Sequence, residues 1–155
     1  MATLYETDFY EWTQDQAAKL RKLLADRVNV DLDLENIAEE IESVGASDRR
    51  ELHSRLARII EHLLKLEDST LEEPRRGWKN SVIAERTSLE RLLEQSPSLR
   101  RWAAGEIASA YRHAVRRLEP QLIELTMGPL PDVSPYELDQ ILSPDWWPRQ
   151  RDSLA

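Results

Sequence analysis

Apolar and acidic positions recur at helical spacing in the segment that follows Asp33. The apolar positions share one face of a helix and are Leu34, Ile37, Ala38, Ile41 and Val44. The acidic positions fall on the opposite face and are Glu35, Glu39 and Glu42. Gly45 then stands where glycine commonly ends a helix, and Ser47 is a residue type that commonly begins one. The pattern therefore predicts a helix that ends at Gly45 and another that begins at Ser47.

The same periodicity predicts six helical segments along the chain. Their expected ranges are 8–26, 33–44, 47–67, 77–95, 96–118 and a short segment that begins near 134 and ends before Pro144. Thr7 or Asp8 is expected to cap the first helix, and Ser96 the fifth. The apolar residues that we expect the first helix to bury are Phe9, Trp12, Leu20, Leu23 and Leu24.

The chain shows no strand-like alternation and no internal repeat, so we predict an all-α fold. The expected architecture is an up-and-down bundle of about five longer helices, with a short C-terminal helix and a Trp-rich tail packed against it. We assign one domain to residues 5–148, with terminal extensions at 1–4 and 149–155. Leaving Trp146 and Trp147 in water would cost about 1.5–3 kcal/mol each, so we expect the tail to dock on the bundle. A partner-binding patch is the alternative.

The composition limits the class of protein. The chain has 155 residues, 41% of them hydrophobic, and contains no cysteine, which excludes disulfides and thiolate metal sites. The start lacks a basic region followed by an apolar one, and no apolar run approaches the roughly 20 residues of a membrane span. We therefore expect a cytoplasmic protein that does not insert into membranes.

The net charge of −8 is unevenly distributed. Residues 1–73 carry a net charge of −9, residues 74–118 carry +6 and residues 119–155 carry −5. A basic surface could bind nucleic acid or an acidic partner. The interpretation that we prefer is internal pairing of the basic middle helices with acidic neighbours, so nucleic-acid binding is not expected.

Signatures of metal and nucleotide sites are missing from the sequence. Helical bundles bind metal pairs through Glu-x-x-His units, but no carboxylate stands three or four residues from His53, His62 or His113. The four glycines are too dispersed to form a phosphate-binding loop. We therefore predict no metal and no cofactor.

Five charged or titratable residues intrude on the apolar faces of the predicted helices. They are Glu40, Arg55, His62, Glu85 and Arg86. Because a buried charge needs a partner, these residues are expected to meet in one interhelical network that fixes the register of the helices. Two alternatives remain. Glu40, His62 and Glu85 are candidate acid–base residues in a polar cleft, and Arg55 and Arg86 are candidate anion-binding residues.

Two further features bear on function. Trp78 stands beside three basic residues, which makes it a candidate ligand-binding residue, although a core position is the preferred interpretation. Small residues cover much of the fifth helix and indicate close contact with a neighbouring helix or with a second copy. These residues are Ala103, Ala104, Gly105, Ala108, Ala110 and Ala114.

Five motifs, in their order along the chain, resemble a known bacterial family called domain of unknown function 29. They are DLENIAEEIESVG, SDRRELHSRLARIIEHLLKLE, GWKNSVIAERTSLERLLEQSPSLRR, AYRHAVRRLE and PYELDQILSPDWWP. The resemblance extends from about Tyr5 to Pro148. It implies a small helical bacterial protein, usually a stand-alone domain, and it implies no activity.

The sequence favours a non-enzymatic module that binds a protein partner or forms a homo-oligomer. Absent catalytic signatures, the row of small residues and the segregated charge all support this hypothesis. An enzyme or small-ligand binder that uses the interhelical Glu/Arg/His residues is the first alternative. Nucleic-acid binding through residues 74–118 is the second.

Overall fold

The all-α prediction is confirmed by the computed structural model, which describes residues 1–151. Within that part of the chain there is no strand, and six α-helices are present. Their bounds are α1 Leu4–Thr7, α2 Phe9–Ala25, α3 Leu34–Asp68, α4 Arg75–Gln95, α5 Leu99–Leu118 and α6 Leu138–Leu142. A 3₁₀ turn, Glu119–Gln121, follows α5. The predicted extension 149–155 lies partly outside the described residues.

The predicted helix end at Gly45 is wrong, because α3 continues through it as one helix of 35 residues. At a rise of about 1.5 Å per residue, this helix is about 52 Å long. Gly45 keeps a negative φ and is buried. A β-carbon at Gly45 would overlap the Oγ1 atom of Thr13, so glycine is needed for the close approach of α2 and not for a turn. The merger of two predicted helices leaves four long helices, α2 to α5, in the described part of the chain.

The core is built around the C-terminal half of α3, against which α4 and α5 both pack. Side chains with no exposed surface fill these contacts and include Leu56, Ile60, Leu63, Val82, Leu89 and Leu118. Of the small residues of α5, three face this core with no exposure, namely Ala103, Ala110 and Ala114. Their small size lets the α5 backbone approach its neighbour closely. Ala104, Gly105 and Ala108 lie on the exposed side of α5.

Helix α2 packs along the N-terminal half of α3 and begins at the turn between α4 and α5. The Tyr10 N–H donates to Ser96 Oγ at 2.9 Å, and the Ser98 N–H donates to Asp8 Oδ2 at 2.7 Å. From this point α2 runs antiparallel to α3, past the end of the three-helix core. We call residues 16–44, which project beyond that end, the arm.

Helix starts follow the predicted cap residues in some places and not in others. The Asp8 side chain accepts from the Glu11 N–H and caps α2, as predicted. Ser96 does not cap α5. It lies two residues before the Ser98 cap position and accepts the hydrogen bond from Tyr10. The last helix begins at Leu138, where Glu137 forms the capping box with Gln140, and not near residue 134.

The segment that follows α6 docks on the bundle, which confirms the predicted packing of the Trp-rich tail. Trp146 and Trp147 are both partly buried against the core. The Trp146 ring meets the Tyr136 ring edge-on, with 5.7 Å between the centroids. The Tyr136 hydroxyl donates to Glu67 Oε2 at 2.6 Å, and burial together with this carboxylate raises the pKa of the phenol.

Candidate functional site

Glu85 occupies the centre of a charged network between α3 and α4. Its side chain is 11% exposed and accepts hydrogen bonds from Arg55 Nη1 at 2.8 Å and from Arg58 Nη1 at 3.1 Å. Arg55 also donates from Nε to Glu51 Oε1 at 2.9 Å. The two arginines compensate the buried carboxylate, so the predicted pairing of Glu85 with Arg55 is present.

The rest of the predicted network does not assemble. Glu40 is exposed on the arm and takes no part in the network, because the N-terminal half of α3 projects beyond α4. Arg86 follows Glu85 directly but points elsewhere: it donates from Nε to the Ile141 carbonyl at 2.8 Å and from Nη2 to the Gln140 carbonyl at 2.9 Å. Arg55 and Glu85 therefore meet, whereas Glu40, His62 and Arg86 each lie in separate surroundings, and the five do not line one cleft.

His62 is also separate from any carboxylate partner. Its Nδ1–H donates to the Arg58 carbonyl at 2.8 Å, one turn earlier in α3. Burial lowers the pKa of the imidazole and outweighs the hydrogen bond to the Arg58 carbonyl and the Glu61 carboxylate, which raise it, while the Lys65 and Arg58 cations lower it further. A neutral His62 whose Nδ1 is occupied by the backbone lacks the orienting carboxylate that acid–base catalysis would use.

Trp78 is a core residue, as preferred from the sequence, and 8% of its surface is exposed. Its ring packs in the core cluster near Lys65, whose Nζ lies 5.9 Å from the ring centroid.

Lys65 pairs at 3.4 Å with Glu61, which is 5% exposed, and Arg117 Nε approaches the other Glu61 oxygen at 3.3 Å. Sequence reasoning missed Glu61, although its position between Ile60 and Leu63 in an apolar run was a usable signal.

His53 forms a second polar cluster that the sequence did not reveal. Its Nδ1 lies 2.9 Å from Glu106 Oε2, and its ring stacks on His113 with 5.7 Å between centroids. Beside it, the Arg49 guanidinium lies 3.6 Å from the centroid of the Trp102 ring. Glu106 and His113 come from α5 and His53 from α3, so no spacing within one helix could indicate the cluster. The shallow cleft at this place has a volume of about 290 Å³.

Basic residues of the 74–118 segment are partly used inside the molecule. Arg117 pairs with Glu61, and Arg75 donates to the Leu66 and Ser69 carbonyls at 2.5 and 3.1 Å. Arg86 is buried. The other bases of the segment have exposed side chains and are Arg76, Lys79, Arg91, Arg100, Arg101, Arg112 and Arg116. Internal pairing thus accounts for some of the positive charge and leaves the rest on the surface.

The arm exposes an unusual amount of aliphatic surface. Seven of the fourteen exposed large hydrophobic residues in the described part of the chain lie between residues 23 and 44. They are Leu23, Leu24, Val28, Val30, Leu32, Ile37 and Val44, with exposures from 36% to 62%. The predicted burial of Leu23 and Leu24 is therefore wrong. On the apolar face of residues 34–44, Leu34 and Ala38 are buried, whereas Ile37 and Val44 are exposed. Helix α2 instead buries Tyr10, Thr13 and Ala17, and its main packing partner is α3.

The two helices of the arm carry opposite charge. Residues 18–27 contain Lys19, Arg21, Lys22 and Arg27 against one acid, Asp26. Residues 34–44 contain Glu35, Glu39, Glu40 and Glu42 and no base. All eight of these basic and glutamate side chains are exposed. One pair, Arg21 with Glu42, joins the two helices within the chain.

Metal ligands and membrane helices are not found in the part of the chain that the structure describes. No group of three or more histidine or acidic side chains there is arranged to hold a metal ion. Within residues 1–151, no helix combines the length and the apolar character that crossing a bilayer requires.

The structure therefore defines an all-helical protein with α3 as its central helix, a three-helix core and a projecting arm. The model of the family described as "Domain of unknown function DUF29" matches residues 4–147, and the chain belongs to this family. A crystal structure of an α-helical protein of unknown function from Rhodospirillum rubrum is similar, with a TM-score of 0.79 and 30% sequence identity. The similarity covers 94% of this chain and 93% of that chain. Among curated proteins, none matches this sequence.

Proposed function

We propose that this protein is a self-associating interaction module of the cytoplasm and that the arm is its contact surface. The single observation that carries the proposal is that seven exposed aliphatic residues lie on the arm, on its two helices and on the loop that joins them, where nothing else in the described chain covers them. Helices in proteins derive most of their stability from packing of an amphipathic face. Clusters of exposed apolar residues are typical of interaction sites.

The charge of the arm favours a second copy as the partner. In a two-fold symmetric contact, the same patch of both copies is used, and a residue of one copy meets a different residue of the other. If α2 of one copy lies against α3 of the other, the basic residues Lys22 and Arg27 face the acidic residues Glu35 and Glu39. The arms then form a four-helix bundle whose interior takes up the aliphatic residues.

Size-exclusion chromatography with light scattering tests the proposal. The chain has a mass of 18.0 kDa, so we expect the wild-type protein to elute with twice that mass at micromolar concentration. Val44→Glu and Ile37→Glu place a charge in the proposed contact and should give the single-chain mass. Ile123→Glu is the matched control, since Ile123 is 96% exposed outside the arm, and it should leave the dimer intact. A wild-type protein with the single-chain mass at every concentration up to about 200 µM would refute self-association.

A further inference from the structure

A cavity of about 640 Å³ lies between α4, the start of α5 and the segment that contains α6. This volume is within the range of small-molecule sites, roughly 300–1,000 Å³. Apolar side chains form much of its wall, among them Ile83, Leu93 and Leu142. Ile83 is 51% exposed, although large aliphatic residues are usually buried, so the wall offers apolar surface that the chain itself does not cover.

Arg86 is part of the wall of this cavity and is 5% exposed. Its Nε and Nη2 atoms donate to the Ile141 and Gln140 carbonyls, and its guanidinium lies 4.9 Å from the Trp147 ring centroid. Its Nη1 atom is buried and has no hydrogen-bond partner among residues 1–151. Two carbonyls and a ring fix the orientation of the group but do not neutralise its charge, and a buried charge needs a counter-ion.

The remaining charges of the wall limit what that counter-ion can be. Glu90 stands one turn after Arg86 on α4 and also lines the cavity, yet it forms no ion pair with Arg86 in the described structure. Arg100 and Glu94 are the other charged residues of the wall, so its formal charges cancel. A ligand with a single negative charge suits such a site better than a phosphate dianion does. We infer that the cavity binds a small molecule with an apolar chain and one carboxylate, and that Arg86 is the residue that receives the carboxylate.

Octanoate is a suitable probe, with 1-octanol as its uncharged counterpart of equal chain length. Binding can be followed through the ¹H–¹⁵N resonance of Arg86 Nε and by calorimetry at pH 7. Octanoate should bind and shift this resonance, and octanol should bind at least about ten-fold more weakly. Equal affinity for the two probes, or no binding of octanoate up to millimolar concentration, would overturn the inference.

Variants assign the binding to this cavity. Arg86→Gln should weaken octanoate binding about ten-fold or more, and Glu90→Gln should strengthen it because a competing carboxylate is removed.

Arg86 also holds α6, so a second variant is needed that leaves this contact in place. Ile83→Glu is such a variant, because Ile83 is half exposed. It should abolish octanoate binding, whereas Ile123→Glu, a change at an exposed site elsewhere, should not. Unchanged binding in Ile83→Glu would show that octanoate binds elsewhere as an adventitious additive only. These outcomes do not depend on whether the protein is a dimer.

Discussion

Gly45 of α3 lies directly against Thr13 of α2, so closely that a β-carbon at Gly45 would overlap the threonine Oγ1. Thr13 has no exposed surface, and its hydroxyl donates to the Tyr10 carbonyl at 2.6 Å. The hydroxyl cannot move aside without loss of that bond. This contact holds α2 against α3 at the base of the arm.

Gly45→Ala should therefore destabilise the protein, although alanine is the better helix former. Helix propensity alone predicts a gain of about 1 kcal/mol. Overpacking of a tight contact costs about 1–3 kcal/mol, and we expect it to exceed the gain.

Gly105→Ala is the matched control, since a β-carbon added at this position on the exposed side of α5 would meet no neighbouring side chain within 4 Å. It should stabilise the protein by about 0.5–1 kcal/mol. Urea unfolding of both variants measures the two effects, and a stabilised Gly45→Ala would contradict the packing described.

Glu85→Ala should destabilise the fold strongly because it leaves Arg55 and Arg58 without their shared carboxylate. Removal of one partner of a buried ion pair costs about 3–5 kcal/mol. Because both arginines are partly exposed, we expect Glu85→Ala to lower the free energy of unfolding by about 3 kcal/mol or less. Glu51→Ala removes the other partner of Arg55, but Glu51 is 42% exposed, so the loss should stay below about 1 kcal/mol. Thermal or urea unfolding at neutral pH compares the two. Similar losses in both variants would mean that Glu85 is not the centre of the network.

Asp48 should oppose folding at neutral pH. Its Oδ2 atom is buried and has no hydrogen-bond partner among the described residues, and burial, with the nearby Glu51 carboxylate, raises the pKa of Asp48. Because the folded state then holds a proton more tightly than the unfolded state, its contribution to stability falls as pH rises above about 3.9.

Asp48→Asn should therefore raise the free energy of unfolding at pH 7 and have little effect near pH 3. Denaturant titrations at the two pH values give the comparison. A variant that is less stable than the wild type at pH 7 would show that the carboxylate has a favourable partner.

His62 should make the protein sensitive to acid. Burial lowers the pKa of this imidazole in the folded state, so the unfolded state takes up a proton first as the pH falls below about 6.5. Stability is then lost between that pH and the lower pKa of the folded state. His62→Gln should therefore reduce the fall in the free energy of unfolding between pH 7 and pH 5, which denaturant unfolding curves at these pH values measure. An NMR titration that places the pKa of His62 above 6.5 would contradict the burial argument.

The sequence was sufficient for the helices whose ends are set by local chemistry. Asp8 and Asp33 cap α2 and α3 through side-chain bonds to the N–H group three residues later, and such signals are readable along the chain. Gly45 was misread because a glycine that ends a helix and a glycine that admits a neighbouring helix have the same local pattern. Only the position of Thr13 in space distinguishes the two cases.

The sequence predicted only part of the candidate site, again because contacts between different helices need not leave a local pattern. Glu85 and Arg55 were found because each interrupts an apolar face, and an interrupting charge needs a partner. His53 and Glu106 belong to different helices and interrupt nothing, so their contact carries no signal in the sequence. The periodicity of residues 34–44 likewise revealed an apolar face but not what covers it. Leu34 and Ala38 of this face are buried, whereas Ile37 and Val44 are exposed on the arm.

The most direct test of the account is a pair of charge-reversed variants studied by sedimentation velocity. Lys22→Glu/Arg27→Glu places acidic side chains at the facing positions of both arm helices, and Glu35→Lys/Glu39→Lys places basic side chains at the facing positions of both. Each variant alone should sediment as a single chain, because its two-fold contact would oppose like charges. An equimolar mixture should sediment as a dimer, since opposite charges then face each other at both contacts. A mixture that remains a single chain, beside a wild-type protein that is a dimer, would contradict the α2-to-α3 arrangement, and a wild-type single chain would contradict self-association itself.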